Sequence, residues 1–193
     1  MAEQAAKLMT PEEFFAWEPD DEERYELADG LAVKMMTGAS EVHDRVVTNL
    51  ILALGSQLRG SRCRPATADV ALRTRIRSLR RPDVTVTCDD PRADSYESRN
   101  PRMVVEVLSP SNKGLAWHRK LEEYRRVAGL AYILLVESTA AKATLLIRNG
   151  AAWDASDFDA LSDIIELPEI GCRLAMADIY DRLTFEPNSG ANI

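Results

Sequence analysis

An acid interrupts an otherwise apolar run in Met103-Val104-Val105-Glu106-Val107-Leu108. The β-branched residues predict a strand covered on both faces, and the Ser109-Pro110-Ser111 turn signal ends it. Glu106 shares a face with Val104 and Leu108, and an isolated buried carboxylate costs several kcal/mol unless it is paired, protonated or bound to a cation. A second acid, Asp83, follows Pro82 at the start of the preceding strand, with 22 residues between the two. Two carboxylates converging from neighbouring strands suit a hard divalent cation such as Mg²⁺, or Mn²⁺, which binds through one or two carboxylates and keeps several waters. Such an ion activates water and stabilises charge on a phosphoryl oxygen. The competing reading makes Asp83 a turn residue and Glu106 half of an ion pair.

Three further groups complete the candidate constellation. Lys120 lies on the helix that follows the Glu106 strand, beside the stripe Trp117, Leu121 and Tyr124. Helical side chains lean toward the N-terminus, so its ammonium can reach back to the sheet edge and orient a nucleophilic water; otherwise it snorkels at the border of the core. Glu26, in Tyr25-Glu26-Leu27, is a further acid on a short strand, or an exposed hairpin residue. His43 sits one turn before Val47 on the inward face of a helix, as a base or phosphate donor or as a packed or capping residue. Asp69 reads as a solvent-facing strand residue.

The elements that must position these groups follow from pattern. Thr10-Pro11-Glu12-Glu13 predicts a capped short helix with a capping box, and Asp29-Gly30 predicts a hairpin turn in 24–36. Ser40 caps a helix reaching about Gly60, with the stripe Val47, Leu50, Leu54 and Leu58. Strands follow around Ala66–Arg73, Val84–Cys88 and Met103–Leu108, the first two separated by an arginine-rich bend. A helix spans about Leu115 to Ala128, burying Trp117, Leu121, Tyr124 and Ala128, with Gly129 as its C′ residue. Two strands over 130–149 hairpin together, 164–176 forms a strand pair or arm, and 176–183 closes as a helix. The strand–helix–strand unit from Met103 to Glu137 predicts a parallel pair with a right-handed crossover. The class is α/β.

At 193 residues with 46% hydrophobic and 28% charged content, one soluble globular domain over 1–193 is expected. The N-terminus shows no secretory pattern, and no apolar run is long enough for a membrane span. Three scattered cysteines without a CxxC predict a reducing, cytoplasmic setting with no disulfide framework. The formal charge is −7, yet residues 59–126 carry 16 basic and 9 acidic side chains. A basic segment of this kind can collect a polyanion against an acidic total, or form a solvated surface. Arg73, Arg75, Arg77, Arg80 and Arg81 are the expected phosphate contacts.

The ordered set RYELADG, His43, RRPDVTVTC, MVVEVLSPSN and KLEEY resembles the Uma-type restriction endonuclease family, placed in the PD-(D/E)XK nuclease superfamily. The resemblance runs from MTPEEF to MADIYDRL. It implies a restriction-endonuclease-like core, a central mixed sheet flanked by helices in αβββαβ order, with an added N-terminal hairpin and C-terminal arm. It implies Mg²⁺-dependent endonucleolytic cleavage of DNA, with Asp83 and Glu106 as the two acids, the Val107 carbonyl as a backbone metal ligand, and Glu26 and His43 at matching positions. Two positions depart from the pattern. The superfamily lysine would fall at Leu108, and Lys120 stands in for it; Ala116 occupies a position where members often carry aspartate. An alternative is therefore a weak or inactive nuclease-fold module that binds DNA or a protein partner. By analogy, a homodimer would suit a double-strand cut.

Overall fold

The protein is described from a computed structural model, covering residues 8–17, 19, 21, 23–35, 40–109 and 114–185. Helix α1 (Pro11–Phe15) opens with the expected capping box on Thr10. Strands β1 (Tyr25–Ala28) and β2 (Leu31–Lys34) form the expected hairpin. Asp29 and Gly30 turn it with φ of 49° and 88°, backbone that favours glycine and, second to it, Asp or Asn. Ser40 caps helix α2 (Glu41–Gln57), which buries Val46, Leu50 and Leu54; Val47 is only partly buried.

The next stretch differs from expectation. The strand expected over Ala66–Arg73 is two, β3 (Arg64–Thr67) and β4 (Ala71–Arg75), which lie in different sheets. Asp69 sits in the turn between them, not mid-strand. The arginine-rich bend is itself a hairpin, since β4 pairs antiparallel with β5 (Ser78–Arg80). Strands β6 (Val84–Thr87), the two-residue β7 (Glu97–Ser98) and β8 (Pro101–Leu108) follow. The turn expected at Ser109-Pro110-Ser111 lies beyond residue 109, outside the described residues. Helix α3 (Leu115–Arg125) ends earlier than expected; Tyr124 is buried, Trp117 and Leu121 are half-buried, and Ala128 is exposed. The chain then builds β9 (Tyr132–Glu137), β10 (Ala143–Asn149), β11 (Ala152–Phe158), β12 (Ile164–Leu167), β13 (Cys172–Ala175) and the short α4 (Met176–Ile179).

Six strands form the main sheet in the order β11-β10-β9-β8-β6-β3, and a smaller sheet runs β2-β1-β5-β4-β7. Strands β8 and β9 are parallel across α3, as the strand–helix–strand pattern requires, whereas the other main-sheet pairs are antiparallel. Alternation along β8 sends Met103, Val105 and Val107 into a core shared with α2, the β12–β13 pair and α4. Val104 faces the opposite way, onto Tyr124, Val127 and Leu130. Both faces of the central strand are thus covered, and Glu106 points toward the α3 side. Helix α1 closes the far face of the small sheet over Leu27 and Leu79.

The cysteine expectation is overturned. Cys63 and Cys88 flank the paired residues Arg64 and Thr87, so the β3–β6 register sets them opposite one another, and they form a disulfide. The cysteine pattern therefore gives no ground for a reducing compartment. Closing a loop of sequence separation 25 is expected to stabilise the fold by about 2–4 kcal/mol. Urea unfolding with and without reductant measures this, because the remaining described cysteine, Cys172, is buried and free.

Candidate active site

Glu106 is 3% exposed, in the middle of β8, where burial penalises its charge. Its Oε1 accepts from the Tyr124 hydroxyl at 2.5 Å and lies 2.8 Å from the Lys120 Nζ. Lys120 and Tyr124 stand four residues apart on α3, so they share the helix face over the sheet. The same Nζ lies 3.1 Å from Glu26 Oε1 on β1. One ammonium therefore joins an acid of the main sheet to an acid of the small sheet. Lys120 reaches back as its helical tilt predicts.

The anchors of Glu26 are the part that sequence reading missed. Its Oε1 also accepts the Arg81 N–H at 2.8 Å, and its Oε2 accepts from Arg80 Nη1 at 3.1 Å. Arg80 clasps Glu123 with two bonds of 2.8 Å, from Nε to Oε2 and from Nη2 to Oε1. Thr74 donates its hydroxyl to Glu123 Oε2 at 2.7 Å. Arg80 is 7% exposed and Glu123 2%, so this is a buried bidentate pair, the geometry for which a guanidinium fork is suited. The expectation that Arg80 contacts a nucleic-acid backbone is corrected: its fork faces inward because β5 alternation sends it to α3. Arg73 pairs with Glu12 and Glu97, Arg75 with Asp29, and Arg77 donates to the Met9 carbonyl. Much of the local positive charge is thus neutralised within the fold.

Asp83 enters from the head of β6. Its Oδ2 accepts the Val107 N–H at 2.7 Å and lies 3.5 Å from His43 Nε2 at the start of α2. The structure thus forms two groups that meet at consecutive residues of β8: Glu26–Lys120–Glu106–Tyr124 at Glu106, and His43–Asp83 at Val107. All five candidate side chains lie in one or the other.

The electrostatics follow from this packing. Burial pushes the Glu106 carboxyl up to about 7; Lys120 opposes the shift, and the negative charges of Asp83 and Glu26 add to it. Burial also works against the charge on Glu26, but Lys120, the Arg81 N–H and Arg80 outweigh it and hold that carboxyl below its ordinary value. Lys120 is likewise penalised by burial, yet Glu106 and Glu26 raise its ammonium above the ordinary lysine value. The hydrogen bond to Asp83 raises His43 against a smaller burial effect, with the Val107 backbone and the Glu106 charge contributing.

Asp83 and Glu106 suit a divalent cation by donor chemistry: both are hard oxygen ligands, and the charge of one disfavours ionisation of the other, a repulsion that a cation between them would relieve. Among the described residues no cluster of three or more His, Cys, Asp or Glu side chains has metal-binding geometry. A backbone carbonyl and water would therefore have to complete the shell. Ala116 is exposed, whereas Lys120 is held directly by Glu26 and Glu106, so the missing aspartate leaves the ammonium positioned.

A protein with this architecture has been solved: "a putative nuclease belonging to DUF820" from Anabaena variabilis superposes with a TM-score of 0.70 at 16% identity, over 89% of this chain and 97% of the other. The fold is that of a nuclease-like α/β protein. The chain itself belongs to the Uma2 family, described as "Putative restriction endonuclease", whose family model matches residues 11–177. It is also 32% identical over 180 residues, 92% of this chain and 94% of the relative, to "Uncharacterized protein slr1290" of Synechocystis sp.. Among the described residues, no helix is long and apolar enough to cross a membrane.

Proposed function

We propose that this protein is a Mg²⁺- or Mn²⁺-dependent endonuclease hydrolysing DNA phosphodiesters. The observation that carries this reading is the Lys120 ammonium set 2.8 Å from Glu106 and 3.1 Å from Glu26, both buried, with Asp83 at the head of the strand that pairs with the Glu106 strand. Asp83 and Glu106, with the Val107 carbonyl, would hold the cation. When bound, it would supply Lewis acidity to the phosphoryl oxygen and lower the pKa of a coordinated water. Lys120 orients the attacking water and balances charge as it builds on the phosphorus oxygens. Glu26 holds Lys120 on the sheet side of α3, and Tyr124 fixes the Glu106 carboxylate by a neutral donor. His43, whose imidazole Asp83 raises above its ordinary value, offers a proton or a phosphate contact. A homodimer would place two such sites for a double-strand cut.

The second reading, a module that binds DNA or a protein without cutting, is favoured by one observation: the Lys120 ammonium already neutralises Glu26 and Glu106. Manganese titration calorimetry and plasmid nicking separate the two. The nuclease gives a saturable heat and nicks that stop with chelator; absence of both returns the protein to the binding module. Because Glu106 keeps its proton up to about 7, the cation must displace it. Affinity for Mn²⁺ is expected to climb as pH rises toward that value and to level off above it, with proton release detected by calorimetry in buffers of different ionisation enthalpy.

A further inference from the structure

Five of the twelve aromatic residues of the chain, Phe14, Phe15, Trp17, Tyr25 and Tyr96, line one open pocket of about 290 Å³. Trp17 meets Tyr25 edge-on at 4.9 Å between ring centroids, and Phe15 lies 5.9 Å from Tyr96. The small core under α1 buries Phe14 and takes part of Phe15, Trp17 and Tyr25, but it does not account for Tyr96, which is 66% exposed at the pocket rim. The polar walls are equally specific. Glu23 pairs through Oε1 with Lys34, while its Oε2 is buried without a hydrogen-bond donor among the described residues. Such an acceptor is costly unless a ligand supplies the donor. Arg81, another wall, donates to the carbonyls of Tyr25, Ala68 and Asp69, not to a carboxylate. Arg24 makes a solvent-exposed pair with Asp69 at 3.1 Å, which a phosphate can displace.

We infer that this pocket holds an unstacked, amino-bearing base, cytosine or adenine, of the nucleic-acid strand bound at the active site. The three chemistries on its walls are those of a nucleotide: rings to stack on the base, guanidiniums for its phosphate, and a carboxylate oxygen for its exocyclic amine. Thymine presents a carbonyl at the equivalent edge and meets Glu23 with like polarity. The site is continuous with the catalytic groups. Arg81 stands two residues before Asp83 and its N–H binds Glu26, so the pocket wall and the proposed metal ligand are separated by at most roughly 7–8 Å of backbone. Tyr25 and Glu26 are consecutive residues of β1 on opposite faces, so a bound nucleic-acid strand must round the end of the small sheet to reach both the acids and the rings.

This inference rests on the nucleic-acid reading of the active site but not on cleavage, and its test keeps the two apart. Tryptophan fluorescence of the full chain is titrated in chelator with oligo(dC), oligo(dA) and oligo(dT). Oligo(dC) and oligo(dA) should bind at least about tenfold more tightly than oligo(dT). Tyr96→Ala, an exposed change that leaves folding intact, should weaken binding of all three about tenfold. Glu23→Gln should keep binding and lose the preference, because an amide both donates and accepts. Equal affinity for the three oligonucleotides, an unchanged preference in Glu23→Gln, or quenching by a trimethyllysine peptide with none by DNA would each overturn the inference. Plasmid nicking by a chain with no base preference removes the pocket alone; a base preference without metal binding removes the nuclease reading alone.

Discussion

Arg80→Met is expected to lower the stability of the fold by about 3–5 kcal/mol, the cost of leaving a buried charge without its partner. The substitution keeps the bulk of the side chain but removes the guanidinium. Glu123, 2% exposed, then has only the Thr74 hydroxyl among the contacts described above, and Glu26 loses the bond to its Oε2. Adding Glu123→Leu should recover more than half of the loss, because an apolar pair in place of a buried ion pair is often near neutral. Urea unfolding of both variants measures the two values. A single-variant loss below about 1 kcal/mol would mean that Arg80 sits in an exposed surface pair instead. Binding of DNA is not the readout here: an arginine reserved for phosphates would leave stability almost unchanged when removed.

That contrast explains why Arg80 was illegible in the sequence. Five arginines between 73 and 81 look alike as residue types, and only the parity of β5 decides which one faces α3. The parity was invisible because the β4–β5 hairpin carries no glycine in its turn and presents charged residues where strands usually show apolar alternation. The partner, Glu123, lies 43 positions away. Its own signal was present but unread: an acid next to Tyr124 on a helix face already assigned to the core. Cys63 and Cys88 escaped for the same reason, since their contact is set by the register of β3 on β6, which neither segment encodes alone.

Where local chemistry and period coincide, the sequence was informative. Glu106 stood out as one charge in a run of β-branched residues, and the direction of helical side chains carried Lys120 back to it. Caps at Thr10 and Ser40 and the Asp29-Gly30 turn fell where their side chains dictate. Strand β11 was missed because it is mostly exposed along its length, so no buried stripe marks it. The inward face of α3 was misjudged at Ala128 because the helix stops at Arg125, and Val127 is buried in its place. Legibility therefore failed mainly at contacts between elements far apart in sequence, whose register or facing no single segment encodes.

Glu106→Gln is expected to abolish hydrolysis and, at alkaline pH, to make the protein more stable. The first effect follows from the proposed site: a neutral amide is a poor ligand for a hard cation and cannot take up the role of the second carboxylate. A loss of at least about 10²–10³ in kcat is expected for removing electrostatic support of this kind. The second effect follows from burial. The Glu106 carboxyl is raised from 4.5 in a solvated chain to about 7 in the fold, so the folded state holds its proton more tightly than the unfolded state does. Ionising it therefore costs stability. That cost is absent below pH 4.5, grows as pH rises toward 7, and is fully present above it. Glutamine never ionises, and its carbonyl can still accept from Tyr124 and Lys120, so the variant escapes the cost without leaving those donors bare. Thermal melts of the two proteins should coincide at the acid end and separate by several degrees at the alkaline end, glutamine higher. An unchanged or lower melting temperature at alkaline pH would show that Lys120 fully compensates the buried charge. In that case Glu106 would serve the fold, and its presence in the apolar strand would need no cation.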